Sequence, residues 1–470
     1  MSTAPVVVVG AGPVGLTTAL LLARRDVPVL VLERHRQPLR EPRAVHLDDE
    51  ALRALADVGV ADDLVSRGRA ARGLRLLAPD HGVLAEFGRD ADAGLHGWPQ
   101  ATTFHQPDLE DLLRAAVTAQ PRIELQAGVE VTGLRATDGG LEVDTGGRSL
   151  QAGAVVGCDG AHSTVREATG AGMRRLGRSD RWLVADLRAA HPLPVWPGVQ
   201  QVCDPRRPAT FLPVAGDRYR FEARLLPGET GAELAGRLPA LLTPFGAESA
   251  AVVRLAEYTY RAQVVDRWRT GRVLLAGDAA HQSPPFIGQG LGLGLRDAHQ
   301  LAWKLAAVVS GTAADSLLDS YQAERAPHAR ALIGLAVVVG ALMNGGGRRA
   351  ALLRRAVLTA ADRVPALAGF ATDSRSPALP AGPLVERPGR SLAGRLLPRA
   401  PVLVAGSPVR IDEVLGTGTA VLRFGPAGQG VVHATGRRTE FDDVDGVLGA
   451  WRGGATEIVV RPDRIVRAAR

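Results

Sequence analysis

The sequence predicts an α/β protein: a parallel, helix-flanked sheet, an inserted antiparallel-sheet unit and a small third unit at the C-terminal end. Three observations carry this. Val6 to Glu33 reads as strand, glycine turn, helix and strand. Arg272 to Leu305 repeats that order far along the chain, with a short apolar run, a glycine-rich turn and a helical pattern. Between about Ala168 and Arg269 the helix–strand alternation disappears and strand-like runs broken by Pro and Gly take over.

In order along the chain, Val6–Val9 is a β-branched run followed by Gly10-Ala11-Gly12-Pro13-Val14-Gly15, an apolar helix from Leu16 to Ala23, then Val29 to Leu32 and Glu33. Gly10 permits the tight turn, Gly12 lets the backbone approach a pyrophosphate, and Gly15 lets helix and strand pack closely. The helix N-terminus presents free N–H groups to the phosphates. Glu33 stands about 20 residues on, where a carboxylate hydrogen-bonds an adenosine ribose. An ADP-containing dinucleotide follows from this arrangement, without a choice between FAD and NAD.

Arg43 follows a proline in the loop after the second strand, near the same crevice, and His46 reads as a loop histidine ahead of the helical DDEALRALADVGV. Pro107 suits the first turn of a helix, which sets Gln106 beside its N-terminus. Ile123–Leu125, Glu130–Leu134 and Leu141–Asp144 alternate like the strands of a small inserted sheet. Ala154 to Gly157 runs into Cys158-Asp159-Gly160, with a helix carrying Arg166 behind it. Cys158 reads as a buried small hydrophobe, since no base accompanies it. In the antiparallel stretch Tyr219, Phe221, Tyr258 and Tyr260 read as core aromatics.

At the second glycine turn Asp278 ends the strand Arg272–Ala276, where a carboxylate can bind a polyol without a metal. Gly288, Gly290, Gly292 and Gly294 leave the backbone bare before a helix expected from Arg296, whose dipole suits a developing negative charge. Helices follow to about Ala371, then a linker at 373–388 rich in Pro, Ser, Gly and Arg, then short strands from Pro401 in a third α/β unit without evident chemistry. The expected divisions are 1–167 and 270–372 for the nucleotide domain, 168–269 for the substrate domain and 389–470 for the terminal domain.

Composition bounds the function. At 470 residues, 46% hydrophobic and 22% charged, the chain is a multidomain globular protein. The net charge of +7 comes from scattered arginines, with Lys304 the only lysine, which argues against nucleic-acid binding. The 2 cysteines form no CxxC and no ligand set, so no metal is expected and a reducing cytoplasm fits. Ala331–Met343 is apolar but too short to span a bilayer, so no membrane is expected either.

Taken in order, GAGPVG with Glu33, CDGAHSTVR and GDAAHQSPPFIGQGLGLGLRDAHQLAWKL resemble the single-component, class A flavoprotein aromatic hydroxylases. The nearest group is that of 3-(3-hydroxyphenyl)propionate hydroxylase, resorcinol hydroxylase and the aromatic polyketide hydroxylases. PRAVHLDDEALR, FHQPDLEDLL and LLPGET look like further parts of that pattern, and the terminal strands with RPD resemble a thioredoxin-like tail. The resemblance implies a Rossmann-like FAD-binding domain, an inserted antiparallel-sheet substrate domain and a thioredoxin-like C-terminal domain.

It also implies site residues. Gly10, Gly12, Gly15 and Glu33 would hold the ADP half of FAD, and Pro13, Val14, Arg34 and Val131 would also bind the cofactor. Asp278 would hydrogen-bond the ribityl chain, Gly277 would bind the cofactor beside it, and Pro285, Gly288, Gly290 and Leu291 would lie along the isoalloxazine. Arg43, the one candidate catalytic residue, and Gln106 would be flavin-side contacts. Asp159, Gly160 and Arg166 would belong to the motif tied to both FAD and NAD(P)H. The expected reaction takes NAD(P)H and dioxygen and hydroxylates a phenolic or polycyclic aromatic substrate through a flavin hydroperoxide; a homodimer is compatible with it. Gly292 and Ile287 depart from the residues common in the group, and the tail lacks a cysteine pair. The same motifs would serve Baeyer–Villiger, epoxidising or rearranging oxygenation, and a flavin-loaded ligand-sequestering protein is the reading from another class.

Overall fold

The computed structural model describes residues 4–89, 94–137, 140–344, 376–386 and 392–470. Five parallel strands form the first sheet, in the order Val273–Leu275, Ala154–Gly157, Val6–Val9, Val29–Glu33 and Ile123–Ala127, with Arg269–Thr270 antiparallel at one edge. The central strands are valine and leucine runs buried on both faces, as a helix-covered parallel sheet requires. Val6–Val9 has the next strand of the chain on one side and the much later Ala154–Gly157 on the other. Its carboxyl end is therefore the point where the topology reverses, and the crevice there is where open α/β sheets take ligands.

Ile123–Leu125 does not join the small inserted sheet as expected. It extends the main sheet beside Val29–Glu33, and only Gly133–Thr137, Gly140–Asp144 and Ser149–Ala152 form the three-stranded antiparallel sheet. Alternation shows that a strand is half exposed; it does not say which sheet's edge the strand occupies.

The second large sheet has seven strands, in the order Ala251–Tyr260, Asp180–Arg188, Arg218–Arg224, Ala209–Pro213, Val199–Val202, Gly73–Leu77 and Val83–Gly88. Five come from the expected insertion. The other two come from within the first 167 residues, and Gly73–Leu77 pairs in parallel with Val199–Val202. The period of two then divides the side chains. Leu183, Ala185, Phe211, Tyr219 and Phe221 point into a core with Leu234, Leu238, Leu242 and Phe245. Their neighbours Trp182, Val184, Leu212, Arg220 and Glu222 point the other way, into a cavity. The four aromatics expected in the core thus split: Tyr219 and Phe221 are buried there, whereas Tyr258 and Tyr260 line the cavity.

The apolar Ala331–Met343 segment is part of a longer helix, Asp319–Asn344. The helical span 315–343 is 29 residues long and contains an 18-residue apolar stretch, so by length and composition alone it could cross a membrane. In the fold Ala326, Ala329 and Ile333 pack into the main core, and Leu332, Leu335, Val339 and Met343 close one side of the cavity. The helices expected to continue to Ala371, and part of the 373–388 linker, lie outside the described residues.

The terminal unit is a seven-stranded sheet from Pro401–Val404 to Val466–Ala469 with two one-turn helices, Ile411–Leu415 and Val447–Trp451. Every pairing in it among the described residues is antiparallel. It therefore has more β character than the α/β unit expected: after Ala420–Phe424 the chain turns back in a hairpin, where a βαβ crossover would have set a parallel neighbour.

Candidate active site

Three glycine turns meet at the carboxyl ends of three adjacent parallel strands, and one cavity of about 1170 Å³ opens from them to the seven-stranded sheet. Gly10 takes a left-handed φ of 102°, so the chain turns sharply out of Val9. A Cβ on Gly15 would overlap the Gly10 carbonyl, which leaves only glycine able to seat the Pro13–Ala23 helix against the strand. Gly12, by contrast, has open space beside it and lines the cavity. No side chain caps this helix at Gly12, nor the Gly290–Val309 helix at Gln289. Two helix N-termini with uncapped N–H groups thus border one cavity, a donor set suited to an anionic group.

All the expected site residues line this cavity except two, Gly15 and Arg166. Gly15 acts by packing, as its expected role implied. Arg166 is a buried clamp: Nη1 donates to the Ala279 carbonyl at 3.1 Å and Nη2 to Ala161 at 3.0 Å, tying the Asp159 turn to the Asp278 turn. Asp159 accepts from the Ser163 hydroxyl and the Val165 amide. Glu33 accepts from the Ala11 amide at 2.8 Å and the His35 amide at 2.9 Å, which fixes the glycine turn against the second strand. Cys158 has its thiol pushed up by burial and by Asp159, as befits an inert packing residue.

The Gly290–Val309 helix starts six residues before the expected Arg296. Helical glycines are costly, but tertiary contact overrides that here. A Cβ on Gly294 would lie 2.6 Å from Val14 and 3.2 Å from the Gly277 backbone, so close packing of the two glycine turns selects glycine. The true turn is the one-turn Pro285–Ile287 segment closed by Gly288 at φ 65°. Gly277 and Asp278 are held by Asp297, which is fully buried. Its Oδ2 accepts from the Gly277 amide at 3.1 Å and from His281 Nε2 at 2.6 Å, and its Oδ1 accepts from Arg325 Nε at 2.8 Å. Asp278 itself opens into the cavity. Enclosure by protein raises its carboxyl above the usual range, against the pull of His281 and Arg43.

The loop bearing Arg43 is gripped from two sides. Gln106 Oε1 accepts from the amides of Arg43 (3.0 Å) and Ala44 (2.7 Å), and its Nε2 donates to Glu110 at 2.8 Å. From the seven-stranded sheet, buried Arg220 donates to the carbonyls of Arg43 at 2.7 Å and Pro42 at 2.5 Å, and to Asp186 at 2.8 Å. The backbone is therefore fixed while the Arg43 side chain remains exposed to the cavity. His46 Nδ1 lies 3.4 Å from the Gly288 carbonyl and Nε2 3.3 Å from Arg89. Burial and Arg89 lower its pKa to about 4, so it is neutral at physiological pH.

Sequence reasoning missed Trp182, Gln201, Thr210, Arg220 and Glu222 in the cavity wall. A signal existed. In RYRFEAR the charged Arg220 and Glu222 alternate with aromatic Tyr219 and Phe221, which assigns them to the face opposite the core.

The geometry defines a class: a dinucleotide-binding α/β protein whose cofactor crevice continues into a cavity walled by a second sheet. Comparison with known proteins narrows it. Residues 3–336 match the FAD binding domain family. The chain is 35% identical over 454 residues to a probable NADH-specific resorcinol 4-hydroxylase of Rhodococcus jostii, covering 94% of this chain and 83% of the relative. It is also 35% identical over 509 residues to a 3-(3-hydroxy-phenyl)propionate/3-hydroxycinnamic acid hydroxylase of Mycolicibacterium gilvum, covering 99% and 88%. Among solved structures, aklavinone-11 hydroxylase with FAD and aklavinone superposes with a TM-score of 0.77 at 26% identity, covering 99% of this chain and 95% of that one. The chain belongs to the FAD-dependent aromatic hydroxylases, flavoprotein monooxygenases that use FAD with NAD(P)H as co-substrate.

Proposed function

We propose that this hydroxylase acts on a phenolic or polycyclic aromatic substrate, bound between the Gly288–Leu291 segment and the seven-stranded sheet. The continuity of the cavity carries this reading. At about 1170 Å³ it exceeds the ~300–1,000 Å³ usual for one drug-sized ligand, which leaves room for an aromatic beside a dinucleotide. Trp182, Phe286, Leu212 and Val184 give the far wall an apolar, flat-ring character.

The residues fit FAD. The uncapped N-terminus at Gly12, Pro13 and Val14 would take the pyrophosphate, with Glu33, Arg34 and Val131 at the adenosine end and Asp278 on the ribityl hydroxyls. Pro285, Gly288, Gly290 and Leu291 would border the ring system, and the Gly290 helix end would stabilise negative charge beside it. Arg43 would supply a mobile positive charge to the same space. Asp159 and Gly160 would meet the cofactor at the middle turn, with Arg166 acting through them. Bound FAD supplies the chemistry that no side chain has, electron transfer from the nicotinamide and activation of dioxygen. The protein's part is to orient the ring and exclude water, which the sheet wall and the 319–344 helix do from two sides. A cytoplasmic location belongs to the same reading, supported by the absence of a disulfide between Cys158 and Cys203, the 2 cysteines of the chain.

The test is aerobic turnover with NADH and NADPH across resorcinol, 3-(3-hydroxyphenyl)propionate and aklavinone, followed by product mass. A ring product with one added oxygen atom and coupled NAD(P)H consumption is expected. Reduction that no aromatic in the panel stimulates would contradict the substrate assignment.

A further inference from the structure

The cavity-facing side of the seven-stranded sheet is largely apolar, but one polar row crosses it. Gln201, Thr210 and Glu222 stand directly opposite one another on three adjacent strands, and all three line the cavity. Thr210 Oγ donates to Gln201 Oε1 at 2.7 Å, and the Tyr260 hydroxyl donates to Glu222 Oε2 at 3.1 Å. Glu222 Oε1 has no hydrogen-bond donor among the described residues. The nearest cation, Arg220 Nη1, is 3.7 Å away, and that guanidinium is committed to Asp186 and the carbonyls of Pro42 and Arg43. Glu222 is 8% exposed, so its spare acceptor can be met only from within the cavity.

A buried carboxylate oxygen that no protein group donates to is an acceptor offered to whatever occupies the cavity. Within a cavity shaped for an aromatic, the donor that a neutral substrate carries is a ring hydroxyl. Resting on the hydroxylase reading above, we propose that Glu222 binds a ring hydroxyl of the substrate and accepts its proton, with Tyr260 holding the carboxylate in place. The substrate class is then ring-hydroxylated aromatics. In the step, the substrate O–H bond breaks, the proton passes to Glu222 Oε1, and the electron pair stays on the ring oxygen, which enriches the ring toward an electrophilic oxygen donor. Nothing is oxidised or reduced in this transfer. The protonation balance suits it: burial raises Glu222 above the usual carboxylate range, Arg220 and Tyr260 oppose that rise, and Asp186 adds to it. Tyr260 is pushed well above its ordinary value by burial and by Glu222, so it remains a donor.

The test uses the FAD-loaded protein and two scaffolds, resorcinol and 1,8-dihydroxyanthraquinone, each beside its fully O-methylated ether. Dissociation constants are read from perturbation of the flavin absorption. The hydroxyl form of at least one scaffold should bind more tightly than its ether by on the order of tenfold to a hundredfold, the worth of a hydrogen bond to a charged group. Glu222→Gln should remove most of that preference while leaving ether affinity and flavin content unchanged. It should also abolish the loss of phenol affinity on acidification that the wild type shows as Glu222 is protonated. Equal binding of hydroxyl and ether forms on both scaffolds, or full preference and an unchanged pH profile in Glu222→Gln, would overturn the assignment. If Glu222→Gln loses its flavin, Tyr260→Phe decides: a weakened preference supports the role and an intact one overturns it. Failure of the protein to take FAD or oxidise NAD(P)H would instead strike at the hydroxylase reading itself.

Discussion

Asp278 and Arg43 bring opposite charges into one cavity, and each is aimed by neighbouring residues. Asp297 fixes the turn of the first; Gln106 and Arg220 fix the backbone of the second. Asp278→Ala should therefore strip most of the FAD, and a visible spectrum with unchanged flavin per protein would remove the ribityl role. Arg43→Ala should keep the flavin but slow its reduction by NAD(P)H in anaerobic stopped flow; a normal rate would return Arg43 to a bystander. His46 gives a pH prediction. Its folded-state pKa of about 4 lies below its ordinary 6.5, so the unfolded chain binds the extra proton first and stability falls as pH drops from 6.5 toward 4. His46→Asn should flatten denaturation midpoints across that window.

At this scale legibility followed the motifs. Gly10, Gly12, Glu33 and Asp278 were readable because each stands at the end of a strand or in the turn that follows it, at a stated spacing. For Glu222 the alternation in RYRFEAR carried the facing but not the neighbours, because its placement beside Thr210 and Tyr260 is set by strand register, which no local spacing reveals.

At the scale of elements, the Pro13–Ala23 and Gly290–Val309 helices matter as a pair. They cross where Gly294 meets Val14 and the Gly277 backbone, so both N-termini reach the same space. Val14 is β-branched and cannot easily turn away. Gly294→Ala should thus cost roughly 1–3 kcal/mol as overpacking and weaken FAD retention. A thermal midpoint equal to wild type would show that the helices can separate freely. The sequence placed the second helix's start too late, since four alternating glycines look like a loop until a packing partner is known. The strands at Gly73–Leu77 and Val83–Gly88 went unassigned for a like reason: their neighbour, Val199–Val202, is remote in the chain.

On the scale of the whole molecule, the terminal sheet is bolted to the helices around the first sheet by buried ion pairs. Arg461 Nη1 lies 3.0 Å from Glu324, which also bonds Lys304 at 2.8 Å, and Arg53 pairs with Asp412. Burial lowers the Lys304 pKa to about 8, so this only lysine sits in a costly position that Glu324 offsets. Arg461→Ala would leave Glu324 and Asp463 short of a cation, and should destabilise by roughly 3–5 kcal/mol. Calorimetry should still show one cooperative transition; an early separate melt of the terminal unit would mean the docking is loose. RPD was read as a terminal signature without a task, because Arg461 and Glu324 are 137 residues apart.

The central claim is that cofactor and aromatic substrate share one cavity beneath the sheet. Anaerobic reduction of the FAD-loaded protein by NADH or NADPH, followed at the flavin absorption with and without a hydroxylated aromatic, tests it most directly. The account predicts a protein-bound flavin that a ring-hydroxylated ligand both perturbs and helps to bleach. A colourless protein that refuses added FAD, or a flavin indifferent to every aromatic offered, would contradict it.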